Sequence, residues 1–186
     1  GDPAEFRAVE QAYREALDLV VTESSGYEDF IRFLGEAVPH PVIAAIILGK
    51  YNRAKELRVN FSIDRDSTMA DVPKRISQEK IVTILGNLLD NAFEAALQRP
   101  PGLRAVEMSF TDLGNDIVFE IEDSGPGVAV DEQNHIFERG VTSKGQGRRG
   151  VGLFLVRQHV EELGGQIMIS RGGLGGALFT VAIPKE

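Results

Sequence analysis

Cysteine is absent from the 186 residues. That excludes disulfide bridges and thiolate-bound metals, and it suits a reducing cytoplasm. Long apolar runs are missing too. The richest, Val42 to Leu48, falls far short of the roughly 20 residues that span a bilayer. No secretory pattern is visible at the amino end. Long blocks of Lys or Arg are missing, and the formal net charge is −8. A broad basic surface for nucleic acid is therefore excluded, whereas a small anion held by backbone amides and a few local cations is not. The Walker pattern Gly-x-x-x-x-Gly-Lys-Ser/Thr does not occur. No short β-α-β unit opens on a glycine-rich turn either, as a dinucleotide fold requires. What remains is a chain 42% hydrophobic and 26% charged, the balance of a globular protein with one ordinary domain and an appendage.

Periodicity divides the chain near residue 57. From Ala4 to about Thr22 an apolar stripe recurs at three- and four-residue intervals through Val9, Ala12, Tyr13, Ala16, Leu17 and Val20, predicting a helix. Tyr27 to Val38 reads as a second helical piece, and Pro39-His40-Pro41 interrupts firmly. Val42 to Leu57 resumes the helical pattern. The period then changes to two, with Val59, Phe61 and Ile63 alternating with polar residues as a half-buried strand does. Ser77 is a helix cap with Glu79 in the first turn, and that helix runs to about Leu97.

Beyond Pro100-Pro101-Gly102, Val106 to Thr111 and Asp116 to Glu122 predict a hairpin turning at Leu113-Gly114-Asn115. Residues 124 to 150 are polar and glycine-rich, and too long for an ordinary connection. A helix from about Val151 to Leu163 ends at Gly164-Gly165. Strands near Gln166 to Ser170 and Ala177 to Ile183 close the chain. The expected fold is α+β: a two-layer sandwich, a mixed sheet covered on one face by helices, preceded by a helical segment.

Three stretches carry chemistry. At about 100° per residue, Asn87, Asn91 and Glu94 fall within about 60° of one another on their helix, forming one polar strip. Asn competes for backbone hydrogen bonds and is a poor helix former, so two on one face ask for a reason. A solvated face is one; an amide oxygen ligating Mg²⁺ beside nucleotide phosphates is the other. Asp123-Ser124-Gly125-Pro126-Gly127 follows directly on a strand. Taken alone it reads first as a plain turn, with a carboxylate accepting from the amino group of a flat ligand as the alternative. Gly145-Gln146-Gly147-Arg148-Arg149-Gly150-Val151-Gly152-Leu153 runs into a helix, where glycine and backbone amides admit phosphate oxygens; Lys144, Arg148 and Arg149 add cations.

In this order the segments resemble the ATPase/kinase superfamily shared by gyrase, the heat-shock chaperone ATPase, MutL and histidine kinases. Four boxes match the histidine kinase branch: Asn87 to Ala95; Asp123 to Gly127; Ile136-Phe137-Glu138-Arg139-Gly140 with Thr142-Ser143-Lys144; and Gly150-Val151-Gly152-Leu153. The resemblance implies Mg-ATP as ligand. It implies Asn91 as the Mg²⁺ ligand, Asn87 as a polar residue lining the phosphates, and Asp123 as acceptor for the adenine amino group. Gly125 and Gly127 would shape the base pocket, and Thr180 would support Asp123. Phe137 would anchor the lid, and Gly150, Gly152 and Leu153 would approach the phosphates with Lys144, Arg148 or Arg149 as charge partners. Hydrolysing members carry Glu where this chain has Asn87. An amide cannot act as that general base, which favours phosphoryl transfer over hydrolysis.

Pro41 to Lys50, with Asn52-Arg53-Ala54-Lys55-Glu56, is similar to the link before the catalytic domain in citrate and C4-dicarboxylate sensor kinases. Residues 1–57 would then be the remnant of the dimerisation and phosphotransfer region, and 58–186 the catalytic ATP-binding domain. None of the three histidines, His40, His135 and His159, matches a phosphate acceptor. His40 lies between prolines, His135 enters the third box, and His159 reads as part of a solvated helix face. The acceptor is expected upstream of residue 1. The implied partners are a dimerisation domain carrying that histidine, in its own or a second copy, and a response regulator. The implied setting is the cytoplasmic side of a membrane-anchored homodimer.

Overall fold

The computed structural model describes residues 3–20, 25–138 and 147–186. Three helices come first: α1 (Pro3–Val20), α2 (Ser25–Ala37) and α3 (Pro41–Glu56). Pro41 opens α3, where its missing N–H costs nothing and its fixed φ suits the helix. Strand β1 (Asn60–Ile63), helix α4 (Gln78–Ala96), strands β2 (Ala105–Thr111) and β3 (Asp116–Asp123), helix α5 (Gly147–Glu162) and strands β4 (Gln166–Arg171) and β5 (Ala177–Pro184) follow. Among the described residues no helix is long and apolar enough to cross a membrane.

The five strands form one mixed sheet in the order β1-β2-β3-β5-β4. β1 and β2 are parallel, with α4 as the crossover, and every other pairing is antiparallel. Alternation decides which face is covered. Val106, Met108 and Phe110 of β2, Ile117, Phe119 and Ile121 of β3, and Phe179, Val181 and Ile183 of β5 are all buried. Their neighbours in sequence, Glu107, Glu120 and Thr180 among them, lie on the opposite, more open face. Helix α4 lays Leu85, Leu88, Leu89, Ala92, Phe93 and Ala96 onto the buried face. The α+β sandwich expected from the sequence is therefore the observed fold.

Local chemistry fixes the helix ends. The Ser77 hydroxyl accepts from the Lys80 amide to cap α4. Helix α5 closes on Gly164 at φ +74°, with the Gly164 amide donating to Glu161 and the Gly165 amide to Val160. The start of α5 differs from expectation: the helix begins at Gly147, four residues before Val151. Glycine is a poor helix former, so Gly147 and Gly150 hide that first turn from a propensity reading.

The buried core crosses residue 57 without a break. Tyr27, Phe30 and Leu34 of α2 and Ile43, Ile47 and Leu48 of α3 belong to the same apolar cluster as the sheet residues. The Tyr51 ring of α3 lies 6.4 Å from that of Phe61 in β1, and the Met69 amide donates to the Ala37 carbonyl. The helical segment is thus packed onto the sandwich.

Candidate functional site

With its apolar side on the sheet, α4 turns Asn87, Asp90, Asn91 and Glu94 the other way. They face a cleft of about 570 Å³, closed on one side by Gly152 and Leu153 of α5 and on the other by Arg53 and Leu57. Asn87 donates from its amide nitrogen to the Thr83 carbonyl one turn back, at 2.8 Å. That bond fixes the side chain, and its Oδ1 lies where a β-carbon on Gly152 would come within 2.9 Å. Glycine at 152 is therefore what lets α5 approach the asparagine strip. Of the predicted residues, Asn87, Asn91, Gly152 and Leu153 share this cleft.

Asp123 ends β3 on the buried face and is 1% exposed. Its Oδ1 accepts from the Gly125 amide at 2.8 Å and from the Ala177 amide at 3.4 Å. Desolvation outweighs these two bonds and pushes the carboxyl up to about 6; the neighbouring Glu122 charge adds to the rise. Gly125 packs on the carbonyl of Ala95, which adjoins Glu94 of the cleft wall. Gly127 adopts φ +78°, a conformation that favours glycine. Asp123 and Gly125 therefore adjoin the carboxyl-terminal end of α4, next to the part of that helix that lines the cleft.

The glycine turn between β4 and β5 completes this corner, and the sequence reading passed over it. The Gly173 amide donates to the Glu122 carboxylate at 2.9 Å, and the Gly176 amide to the Asp123 carbonyl at 3.1 Å. A β-carbon on Gly176 would collide with Asp123. The run Gly172-Gly173-Leu174-Gly175-Gly176 was the signal.

Thr180 is a correction. It pairs with Glu120 and Met168 and shares their face of the sheet, opposite the face on which Asp123 lies. Side chains alternate along a strand, so Thr180 cannot reach that carboxylate. The residue of β5 that does is Ala177, through its backbone amide.

Phe137 is buried and stands edge-on to Phe179 at 6.2 Å. Gly150 lies in the first turn of α5 with Arg148 and Arg149, whose side chains lie outside the described ones. Lys144 lies outside the described residues. The free backbone amides of a helix start are a ready anion site, and α5 places its own beside Gly152.

No histidine lines the cleft. His40 stands at the N-cap position of α3 without a side-chain capping bond, and His135 sits 3.2 Å from Glu138. His159 departs from the solvated face expected of it: its Nδ1 is buried, 3.6 Å from Glu162, and it lines a second cavity with Lys80 and Thr83.

Among the described residues no three His, Cys, Asp or Glu gather to hold a metal. The donor set suits Mg²⁺ all the same, because that ion usually takes one or two protein oxygens and fills its shell with phosphate and water. The amide of Asn91, on the cleft wall, is such an oxygen.

The chain is similar to known proteins along most of its length. Sensor protein CitS of Halalkalibacterium halodurans is 42% identical over 172 residues, 92% of this chain and 32% of that protein. Sensor histidine kinase CitA of Klebsiella pneumoniae is 36% identical over 172 residues, 92% of this chain and 31% of that protein. The chain thus spans about a third of the length of these relatives. Among solved structures, the catalytic domain of histidine kinase ThkA superposes with a TM-score of 0.63 at 24% identity, covering 77% of this chain and 90% of that one. Full-length ShkA in complex with AMPPNP gives 0.59 at 26% identity, over 76% of this chain and 29% of that one. The model of the histidine kinase-, DNA gyrase B- and HSP90-like ATPases matches residues 76–186. With more than half of its length so matched, the chain belongs to the family of histidine kinase-, DNA gyrase B- and HSP90-like ATPases.

Proposed function

We propose that this chain binds Mg-ATP and donates the γ-phosphoryl group to a histidine outside these 186 residues, as the catalytic part of a sensor histidine kinase. The observation that carries the reading is Asn87. It lines the cleft at the position where the resemblance implies Glu in hydrolysing members, and it is an amide held by its own helix. Without a base, bound ATP waits for an incoming nucleophile. An imidazole nitrogen then forms a bond to the γ-phosphorus, the bond to the β-phosphate oxygen breaks, ADP leaves, and the imidazole proton passes to solvent.

The remaining residues position and neutralise. Asp123 accepts from the adenine amino group, with the glycines on either side of it allowing the base to come close. Asn91 offers its amide oxygen to Mg²⁺, which when bound neutralises charge on the phosphates. The amides at the start of α5 and the side chains of Lys144, Arg148 and Arg149 receive the phosphates. Phe137, pinned on Phe179, anchors the chain that follows it as a lid.

In this reading residues 1–57 come from the dimerisation and phosphotransfer region and 58–186 are the catalytic domain. The parent is a membrane-anchored homodimer with this part in the cytoplasm, passing phosphate to a response regulator. The 42% identity with sensor protein CitS supports the sensor-kinase part of that assignment. The test is transfer of label from γ-labelled ATP to a histidine-bearing acceptor domain supplied in trans. Label on that domain supports the reading; turnover of ATP to free phosphate with the domain unlabelled overturns it.

A further inference from the structure

We propose that Arg53 of α3 is a phosphate-contacting residue of the nucleotide site, so that the cleft is completed by a helix outside the segment the family model covers. The inference rests on the Mg-ATP reading and adds to it a residue with a stated role.

Three observations place Arg53. First, α3 lies along α4 and is tethered to it at both ends of the cleft. Lys50, one turn before Arg53, holds Asp90 at 2.7 Å with its side chain largely buried. Leu57, one turn after, offers its carbonyl to Arg104, whose Nε donates to the Arg99 carbonyl just beyond α4. Arg53 stands between these tethers, across from the asparagine strip. Second, it is the one cation among the described residues that line the cleft, and the other charged groups there are the carboxylates of Asp90 and Glu94. Lys50 already neutralises Asp90. A polyphosphate beside carboxylate groups needs local positive charge, and a guanidinium gives it with planar, paired donors.

Third, among the described residues the ion pair that holds Arg53 is a weak one. Its ion pair with Glu56, at 2.9 Å, lies on the surface with side chains 57% and 67% exposed. Exchange of such a pair for a phosphate is easy, since exposed pairs within one helix contribute little. The Arg53 side chain already lines the cleft, so exchanging Glu56 for a phosphate there needs only a change of side-chain rotamer. A purely structural Arg53 would be expected to fix α3, and Lys50 and Arg104 already do so.

The test is calorimetric titration of the chain and its Arg53→Gln and Arg53→Lys variants with Mg-ATP and with adenosine. Arg53→Gln is expected to weaken Mg-ATP at least tenfold and to leave adenosine within twofold, and Arg53→Lys, which keeps the charge but not the paired donors, to recover only part of the loss. Glu56→Gln, which frees Arg53, is expected to leave adenosine unchanged and to tighten Mg-ATP. Equal weakening of both ligands by Arg53→Gln, or Mg-ATP binding that it leaves unchanged, overturns the assignment of Arg53 alone. Failure of the unsubstituted chain to bind Mg-ATP defeats the nucleotide reading beneath it.

Discussion

Gly125 sits so close to α4 that a β-carbon on it would lie 2.7 Å from the carbonyl oxygen of Ala95. The turn that carries Asp123 and the helix that carries Asn87 and Asn91 are therefore in backbone contact. Any side chain at 125 must push them apart. Gly125→Ala is expected to destabilise the fold by about 1–3 kcal/mol, the usual cost of overpacking. ATP affinity should fall with it, because both halves of the site shift. Thermal melting and ATP titration check this, and a variant as stable and as tight-binding as the parent would show that the contact is not made.

Asp123 is expected to set base selectivity. Asp123→Ala removes a charged acceptor, and hydrogen bonds to charged groups contribute about 1.5–3 kcal/mol, so ATP affinity should fall at least tenfold. Asp123→Asn can donate where the parent can only accept, so it should narrow the preference for ATP over GTP. Competition binding with the two nucleotides reads both effects.

The same carboxyl gives the site a pH dependence. Its value of about 6 in the fold lies above the 3.8 of an unperturbed aspartate, because of burial. Between those values the folded chain holds more proton than the unfolded one, so this group's contribution to stability falls as pH rises from about 4 through 6, by at most about 3 kcal/mol. An amine donating to the carboxylate favours the ionised form. Nucleotide binding should then release a proton near pH 5.5 and tighten as pH rises to 7. Calorimetry in buffers of different ionisation enthalpy measures the proton, and the difference between the parent and Asp123→Asn isolates it from the titration of ATP itself.

Asn91 is expected to act through the metal. Asn91→Ala should weaken ATP binding in the presence of Mg²⁺ several-fold more than in its absence. Titrations with and without chelator compare the two. Equal loss in both would mean that the amide touches the nucleotide or the protein and not the ion.

How much of this was legible in the sequence follows from the kind of signal each element carries. The three leading helices, the Ser77 cap and the β2–β3 hairpin are written in local periodicity and turn chemistry, and they lie within a few residues of where those place them. The asparagine strip was legible for the same reason, since a helix converts sequence spacing into a shared face. Thr180 was misplaced because the strand's phase matters as much as its position: Ala177 and Phe179 face Asp123's side of the sheet, and an even-numbered neighbour cannot. The β4–β5 glycines and Arg53 were not legible as site residues. Their roles arise from contacts across more than 30 positions of chain, such as Lys50 to Asp90 and Gly176 to Asp123, which no local pattern encodes.

The central claim is that Asp123 and the cleft along α4 form one Mg-ATP site, and calorimetric titration with Mg-ATP against Mg-GTP tests it most directly. A buried carboxylate accepts the amino group of adenine but meets a carbonyl oxygen at the same place on guanine, and a buried acceptor left facing an acceptor is strongly rejected. The account predicts one ATP bound per chain, with GTP weaker by at least about a hundredfold. GTP binding as tightly as ATP, or no nucleotide binding at all, would contradict it.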